Sequence, residues 1–400
     1  MKKNKILIVS EVFYPEEFNI NDVALSWKSK GYDVDVLTMV PSYPESTTFD
    51  GYKNKLYQKE EWQGINIYRV KAVIGYKKSL LKKLLKYFWF MVSGTIVAII
   101  IGKKYDYIFG FNGGPLTSML PAIFIFKLFK RPTTLWVQDV WPDSVYAYGL
   151  KKTKLFSFFL DKFVKFMYHN IDNIAVSCKG FETVLKTYVK NDITFYYLPN
   201  WAIDLDINSK PIKLSKDEKV QLTFAGNTGK VQNLENIILS FNRLSDEYLE
   251  KAQLNIIGDG SDLERLKLIN TKDNVIFYGK KPRSEMMKYY NASSFLIVSL
   301  ANEPIFSKTV PGKFQTYVAA KKPILAIING DTADIVKDNK LGFVANPQDI
   351  SSIKGIFMQA IDSDKNMLKR FILNCEKLTQ NDFNKDKIIN HLLELTTSNK

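Results

Sequence analysis

One repeated pattern constrains the fold more than any other feature of this sequence: a short apolar run, a tight turn and a helical segment. Residues 5–10 form an apolar run, and a helical segment begins at Asn21 after a loop. Gly31 ends that segment, and residues 32–38 alternate as a second strand does. A helix joined to its strands by such short connections is typical of a parallel sheet. Because the pattern restarts at residues 219–225, the sequence predicts two doubly wound α/β domains.

The domain boundaries follow from where the pattern breaks. At 400 residues the chain is too long for one typical core. Residues 198–208 resemble a linker, so we predict domains at 1–200 and 201–375. A C-terminal helix, 376–400, is expected to return to the first domain. In open α/β sheets a ligand binds at the carboxyl ends of the strands, so we expect it in a cleft that the two domains face.

The composition excludes several kinds of chemistry. Two cysteines without CxxC spacing cannot form a disulfide framework, and they argue against structural zinc. Only two histidines are present, His169 and His391, which argues against a histidine-based triad or metal site. The formal net charge of +15 favours an anionic partner such as a nucleotide, a nucleic acid or an acidic membrane.

A lysine-rich segment, residues 77–104, surrounds an apolar run at residues 88–101. That run is shorter than the roughly 20 residues that cross a bilayer. Basic flanks on a short apolar helix predict contact with an anionic membrane surface, and a buried core helix is the alternative. The flanking lysines are Lys77, Lys78, Lys82, Lys83, Lys86, Lys103 and Lys104.

Two segments of the second half could hold a phosphate. Residues 226–230 follow one strand, and their glycines let backbone N–H groups approach an anion while Lys230 adds charge. Pro311 and Gly312 can open a helix beside Lys313, and a helix N-terminus carries partial positive charge. Either segment alone is consistent with an ordinary turn or surface helix. Together, at strand ends of one sheet, they predict convergence on one phosphate group.

The same half lacks the signatures of other nucleotide sites. It contains neither a Walker loop nor a clean GxGxxG, which disfavours hydride chemistry. We interpret residues 258–260, Gly-Asp-Gly, as a simple tight turn.

The first half has one dense cluster of polar and aromatic residues, 136–144. Asp139 follows a predicted strand, so its carboxylate could take a proton from a hydroxyl or bind a sugar hydroxyl. Trp136 and Trp141 could stack on a sugar face. The alternative is structural, because Asp143 with Ser144 suits the cap of the next helix.

The order of these pieces resembles glycosyltransferase family 4, retaining enzymes of the GT-B fold with two Rossmann-like domains. The resemblance covers essentially the whole chain and is closest to the bacterial branch that adds N-acetylated amino sugars, the L-fucosamine type, in O-antigen and capsule synthesis. The segments that carry it are 13–16, 30–38, 138–144, 198–201, 225–229, 258–260, 310–313 and 322–324.

The resemblance implies that the second domain binds a nucleotide sugar, that the first binds the acceptor, and that no metal or other cofactor is essential. The residues implied in catalysis are Asp139, Lys230 and Lys313, of which the two lysines, with Gly229, would hold the diphosphate. The donor-binding residues implied are Gly226, Asn227, Gly229, Lys280, Arg283, Glu303, Pro311, Gly312 and Thr316. The acceptor-binding residues implied are Tyr14, Glu16, Trp141 and Asp143.

This sequence departs from the family pattern at two places. Many members have two glutamates seven residues apart, and here Lys308 and Thr316 occupy those positions, with Glu303 nearby. The loop after the first strand has residues 16–19, Glu-Glu-Phe-Asn, where many members have a glycine pair. The amino-sugar branch resembles the first of these variants.

The predicted function is a retaining glycosyltransferase that moves an N-acetylated (deoxy)amino sugar from a UDP-sugar to a saccharide on a polyprenyl diphosphate. It would act peripherally on the cytoplasmic face of the bacterial plasma membrane, docking through residues 77–104. The alternatives are a UDP-sugar epimerase of the same architecture and a non-enzymatic basic membrane-surface protein. We expect no nucleic-acid partner, because no nucleic-acid module is recognisable.

Overall fold

The computed structural model describes residues 4–147, 150–202 and 206–398. The chain forms two compact units. The first runs to Pro199 and also includes the segment that begins at Lys385, and the second is Asn200–Asn384. Part of the predicted linker 198–208, residues 203–205, lies outside the described residues.

The first unit is built on a sheet in the order β3-β4-β2-β1-β5-β6-β7-β8. All described neighbours pair in parallel except β3 with β4. Central strands such as β1 and β5 are buried along almost their whole length, as in sheets covered on both faces. The elements are β1 Lys5–Ser10, α1 Asn19–Ser29, β2 Asp33–Met39, β3 Tyr57–Trp62, β4 Ile65–Val70, α2 Leu80–Gly102, β5 Tyr107–Asn112, α3 Leu120–Phe129, β6 Thr133–Val137, α4 Asp143–Ala147, α5 Lys154–His169, β7 Asn173–Val176, α6 Lys179–Leu185 and β8 Phe195–Tyr197.

Helices α2, α3 and α5 form one layer on one face of this sheet. They connect β4 to β5, β5 to β6 and β6 to β7, steps that all move in the same direction across the sheet. Since such crossovers are right-handed, these connections lie on the same face. Helices α2 and α3 are closely packed, because a Cβ at Gly102 would lie 2.8 Å from the Ile125 side chain.

The second unit has a six-stranded parallel sheet in the order β11-β10-β9-β12-β13-β14. The order reverses direction between β9 and β12, which is the place where open α/β sheets bind ligands. The elements are β9 Val220–Ala225, α7 Leu234–Asn242, α8 Asp246–Lys251, β10 Ala252–Ile257, α9 Leu263–Ile269, β11 Val275–Gly279, α10 Met286–Ala292, β12 Phe295–Ser299, α11 Gly312–Ala319, β13 Ile324–Ile327, α12 Asp331–Asp338, β14 Gly342–Ala345, α13 Ile350–Ile361 and α14 Lys365–Gln380.

The last helix, α15 Lys385–Thr397, packs on the first unit and confirms the predicted return. The Trp27 indole N–H donates to the carbonyl of Ile389 at 3.2 Å. The Asn173 amide donates to the carbonyl of Leu395 at 3.0 Å. The sequence predicted a C-terminal helix at 376–400, whereas the structure has α14 to Gln380 and α15 from Lys385, separated at residues 381–384.

Two further predictions from the sequence were wrong. The acidic and aromatic composition before residue 65 predicts a loop, but residues 57–62 form β3, a polar edge strand whose Glu60 accepts from the buried Arg69 at 2.6 Å. Helix α2 has 23 residues because it begins at Leu80, where the Ser79 hydroxyl accepts the N–H of Lys82 at 3.3 Å. By length and composition α2 could therefore cross a membrane. The apolar helix is therefore longer than the 14-residue run 88–101 from which the sequence predicted that it could not cross a bilayer.

Candidate functional site

Helix α11 is fixed at the carboxyl end of β9 by one buried tyrosine. The Tyr317 hydroxyl donates to the carbonyl of Ala225 at 3.0 Å and accepts the N–H of the same residue at 3.1 Å. Lys313 lies one helical turn before Tyr317, so both side chains are on the face that meets the strand. The hydroxyl therefore holds the start of α11 beside the turn that follows β9.

Lys313 lies against that turn. Its Nζ donates to the Gln232 side-chain oxygen at 3.2 Å and is 3.9 Å from the centroid of the Phe224 ring. A Cβ at Gly226 would lie 2.7 Å from the same Nζ, so the ammonium fits because residue 226 is glycine. The structure thus brings together the two strand-end segments that the sequence predicted to converge.

The electrostatic state of Lys313 is unusual. Burial lowers the pKa of its ammonium to about 7, and no carboxylate opposes this effect within the described residues. Burial also lowers the pKa of Lys322, but its Nζ donates to two carbonyl oxygens, those of Asn291 at 2.9 Å and Ser293 at 3.0 Å. Lys322 is therefore a structural tie, whereas Lys313 donates to Gln232 and has no carboxylate among the described residues that offsets the cost of burying its charge.

The turn after β9 is shaped by the turn after β10. Gly258 has a φ of 142°, and a Cβ there would lie 1.8 Å from the carbonyl oxygen of Gly226. The N–H of Thr228 donates to the carbonyl of Asp259 at 3.1 Å. Residues 258–260 are the tight turn that the sequence predicted, and they also support residues 226–229.

The remaining predicted donor residues follow strand ends at the carboxyl edge of the same sheet. Lys230 and Asn227 are exposed in the turn after β9, and Glu303 is exposed in the loop after β12. Pro311 precedes Gly312, the first residue of α11, and the Thr316 hydroxyl is 3.5 Å from the Gly312 carbonyl oxygen. Lys280 and Arg283 are exposed after β11, the edge strand two places from β9. Gly229 immediately precedes a short turn of 3₁₀ helix at Lys230–Gln232.

In the first unit, Asp139 follows β6. Its carboxylate accepts the N–H of Val140 at 3.0 Å and the hydroxyl of Ser144 at 3.1 Å. Burial raises the pKa of Asp139 to about 6, and these hydrogen bonds oppose the rise. Asp143 is the first residue of α4, but the hydroxyl of Ser144 binds Asp139. Trp141, whose hydrogen bond also lowers the pKa of Asp139, is partly buried beside it.

A buried ion pair that sequence reasoning missed lies in the same unit. The Lys86 Nζ on α2 is 2.5 Å from a carboxylate oxygen of Glu11, and both side chains are less than a tenth exposed. Burial opposes the charge, yet Glu11 and Tyr76 raise the pKa of Lys86. Burial raises the pKa of neighbouring Tyr87 to about 12, with added effects of Glu11 and Asp139. Lys86 therefore faces the interior, and its assignment to the membrane-facing lysines was wrong.

The loop after β1 holds the other predicted acceptor residues. Both carboxylate oxygens of Glu16 accept backbone N–H groups, from Phe13 at 3.2 Å, Ser42 at 2.8 Å and Tyr43 at 2.7 Å. Glu16 thus ties two loops together. The Tyr14 ring stacks on Trp62, with centroids 4.3 Å apart.

Tyr14 and Trp62 also line a groove of about 470 Å³ with Tyr52, Lys53 and Gln58. Contact of these residues with an acceptor stays a prediction.

Within the described residues, no group of three His, Cys, Asp or Glu side chains is placed to hold a metal ion. Gln232, Tyr317, Glu11 and Lys86 are the site residues that the sequence reasoning missed. Spacing could have indicated one of them, because Tyr317 follows Lys313 by four residues on the same helix face.

The chain is similar to known glycosyltransferases. Residues 206–378, most of the second unit, match the family model described as glycosyl transferases group 1. The chain is 26% identical over 248 residues to the probable glycosyltransferase WbjE of Pseudomonas aeruginosa, covering 58% of this chain and 61% of that one. It is 27% identical over 283 residues to the putative colanic acid biosynthesis glycosyl transferase WcaI of Escherichia coli K12, covering 66% and 68%. The chain thus spans about three fifths of WbjE's length.

Solved structures of low sequence identity have the same fold. One is described as trehalose-6-phosphate from E. coli bound with UDP-2-fluoro glucose, with a TM-score of 0.73, 11% identity and coverage of 99% of this chain and 100% of that one. Another is Anabaena Alr3699/HepE in complex with UDP and glucose, with a TM-score of 0.64, 12% identity and the same coverage. The chain therefore has the two Rossmann-like domains of GT-B structures, and residues 206–378 are similar to group 1 glycosyl transferases.

Proposed function

We propose that this protein is a retaining glycosyltransferase that moves an N-acetylated (deoxy)amino sugar from a UDP-sugar to a lipid-linked saccharide. The observation that carries the proposal is Lys313, a buried cation at the point where the strand order of the second sheet reverses. A nucleotide diphosphate would supply the charge that this ammonium lacks. The similarity of the surrounding domain to group 1 glycosyltransferases supports the same reading.

The donor site is proposed around the turn after β9. Lys313 would contact the diphosphate from the start of α11, where the helix dipole adds partial positive charge. Gly226 and Gly229 leave room for the phosphate oxygens to approach the backbone, and exposed Lys230 would add charge at the rim. Two of the structural neighbours are described with UDP or a UDP-sugar, which supports this class of donor.

The chemistry follows from stabilising a leaving group. The bond between the anomeric carbon and the diphosphate oxygen breaks, and negative charge grows on the departing nucleotide. A preorganised cation beside the diphosphate stabilises this charge most strongly in the transition state and so lowers the activation barrier. An acceptor oxygen forms the new bond to the anomeric carbon, and its proton passes to the departing phosphate. Lysine and the helix terminus take the place that a divalent cation occupies in other transferases, so no metal is required.

The acceptor and its location are proposed from the first unit. Tyr14, Trp141 and Asp139 would contact the acceptor saccharide, and Glu16 would keep their loops in place. A polyprenyl diphosphate carrier would present this saccharide at the cytoplasmic face of the plasma membrane, where residues 77–104 would dock. The names of the relatives, which include colanic acid biosynthesis, support a role in capsule or O-antigen synthesis.

The test is a panel of UDP-amino sugars offered to the purified protein with a lipid-linked N-acetylhexosamine acceptor in detergent. We expect transfer from one donor, a product that keeps the donor's anomeric configuration by NMR, and full activity in EDTA. Lys337→Ala, an exposed change in the same unit, is the control for Lys313→Ala. Formation of a new UDP-sugar without acceptor would identify an epimerase instead. Unchanged donor affinity and turnover in Lys313→Ala would contradict the proposed phosphate site.

A further inference from the structure

Helix α5 presents an apolar stripe to solvent. Leu155, Phe158, Phe159 and Phe166 are 69%, 52%, 61% and 38% exposed. Their spacings of three, four and seven residues place them along one face of the helix. Large side chains of this kind are normally withdrawn from water, so the stripe needs a partner.

The opposite face of α5 is apolar as well. Leu160, Val164 and Met167 point inward and are buried in the first unit. A surface helix of a soluble protein usually carries polar residues on its outer face. The inner face of α5 already packs in the core. The outer stripe can therefore contact a second apolar environment.

The polar residues of α5 are arranged around that stripe. Lys162 and Lys165 are exposed on the helix, and the Lys162 Nζ is 4.2 Å from the centroid of the Phe158 ring. Lys151, Lys152 and Lys154 are exposed at its start. The acidic residue within α5, Asp161, accepts a hydrogen bond from the Tyr188 hydroxyl at 2.8 Å, so its carboxylate is hydrogen-bonded within the protein. The outer face is therefore basic as well as apolar.

Helix α2 carries a matching stripe in the same layer. Leu81, Leu85, Phe88, Ile96 and Ile100 are exposed and recur at helical spacing along 20 residues. Between the two stripes lies α3, which contacts both neighbours: Ile125 meets α2 at Gly102, and the Lys127 Nζ is 5.1 Å from the centroid of the Phe166 ring on α5.

The same packing shows how α2 would meet a membrane. Since its other face holds Lys86 and Phe90 inside the protein, α2 would lie along a surface rather than cross a bilayer.

We propose that α5 and α2 together form one docking face for an anionic phospholipid bilayer. The exposed aromatic and aliphatic side chains would enter the boundary between headgroups and acyl chains, while the lysines would bind lipid phosphates. The proposal extends the peripheral contact of the proposed function from residues 77–104 to a second helix. Only the biological reason for docking rests on the proposed function. Vesicle binding itself is measured without sugar transfer.

Charge distinguishes a bilayer from another copy of the chain. A twofold interface brings the same surface from each copy together, so lysines around one stripe would face lysines around the other. Anionic headgroups, by contrast, neutralise every lysine of the face.

The experiment measures sedimentation of the full chain with vesicles of phosphatidylcholine, with and without one quarter phosphatidylglycerol. Wild-type protein should bind the anionic vesicles, and less at high salt. Phe158→Ser with Phe159→Ser should weaken that binding by about tenfold or more, because exposed apolar area drives insertion. Lys162→Gln with Lys165→Gln should weaken it by about fivefold for each lysine removed.

The matched control is Leu268→Ser with Lys369→Glu in the second unit, where Leu268 is 85% exposed and Lys369 is exposed. It should bind vesicles as the wild type does. Equal binding by the α5 variants and the wild type would overturn the proposal, as would equal binding to neutral and anionic vesicles. A wild-type dimer that an α5 variant makes monomeric, by light scattering without vesicles, would show a second copy as the occupant and also overturn it.

A water-soluble acceptor separates this proposal from the proposed function. The α5 variants should transfer sugar to it at the wild-type rate, since the mutated side chains are exposed. A protein that binds vesicles through α5 but transfers no sugar would refute the proposed function and leave the docking face standing.

Discussion

The two units each contain a buried lysine, and the pKa values of these two lysines shift in opposite directions. In the first unit, Lys86 is paired with Glu11, which raises the pKa of the ammonium despite burial. In the second unit, burial alone lowers the pKa of Lys313 to about 7. A paired buried cation has its counter-charge already and contributes structure. An anion that binds beside an unpaired buried cation neutralises its unfavourable charge, so the difference supports the proposed diphosphate site in the second unit.

The largest expected effect comes from removing the unpaired lysine. Lys313→Met should lower turnover by about 100-fold or more, in the range seen when one preorganised group for a developing negative charge is lost. It should not lower stability, because the partner left behind, the Gln232 side-chain oxygen, is only partly buried and can bind water instead. Initial rates and donor affinity by calorimetry measure the first effect, and thermal unfolding measures the second. A variant that unfolds easily but keeps its turnover would reverse the roles assigned to the two lysines.

Removing the paired lysine should do the opposite. Lys86→Met leaves the carboxylate of Glu11 buried without its partner, which typically costs about 3 to 5 kcal/mol of stability. Five of the six tryptophans lie before residue 200, so fluorescence during urea unfolding reports mainly on the first unit. Adding Glu11→Gln to the same chain should recover much of the loss. If the double variant is no more stable than the single one, the pair is not the source of the effect.

The pH dependence of donor binding sharpens the comparison further. Near pH 7 the ammonium of Lys313 is partly deprotonated in the free protein, and a bound diphosphate raises its pKa. Affinity for the UDP-sugar should therefore fall by up to about tenfold per pH unit above 7, and binding should take up protons. Calorimetry in buffers of different ionisation enthalpy measures the uptake. The phosphates of a UDP-sugar do not titrate in this range, and Lys86, already protonated, adds nothing.

In Lys313→Met the proton uptake should disappear. Persistence of the uptake in that variant would assign it to another group.

The smallest effect is expected at the tyrosine that positions Lys313. Tyr317→Phe keeps the ring but removes the two hydrogen bonds to Ala225, which should cost about 1 to 3 kcal/mol of stability. Donor affinity should fall several-fold, because the start of α11 is then less firmly held beside Gly226. Tyr248→Phe, which removes one exposed hydroxyl contact with Asp362, is the matched control. Equal donor affinity in Tyr317→Phe and wild type would limit Tyr317 to a purely structural role.

The sequence could predict the two sheets because buried parallel strands read as apolar runs between helices. It could not predict β3, since residues 57–62 alternate with exposed and charged side chains at a sheet edge. It also missed the break at residues 381–384, where the helical pattern continues into a segment that belongs to the other unit. The cleft predicted between the units stays a prediction.

The candidate site was predictable only at residues whose type and position in the sequence indicate phosphate binding. Gly226 and Lys313 stand out because glycine and lysine follow strand ends, and the topology then brings those ends together. Lys86 was predicted to face the membrane because a charged side chain is usually exposed. Its position one turn before buried Phe90 places it on the inward face of α2. Its pairing with Glu11, 75 residues earlier in the chain, depends on tertiary structure that no local pattern contains.

The return of α15 also constrains how the protein is made. Trp27 and Asn173 are hydrogen-bonded to Ile389 and Leu395, residues that leave the ribosome after the whole of the second unit. The second unit, whose residues lie between these contacts in the chain, can complete its core first. The first unit therefore completes its fold only after the second unit has been synthesised, and a nascent chain that stops before residue 385 would leave the apolar surface that α15 covers exposed to solvent.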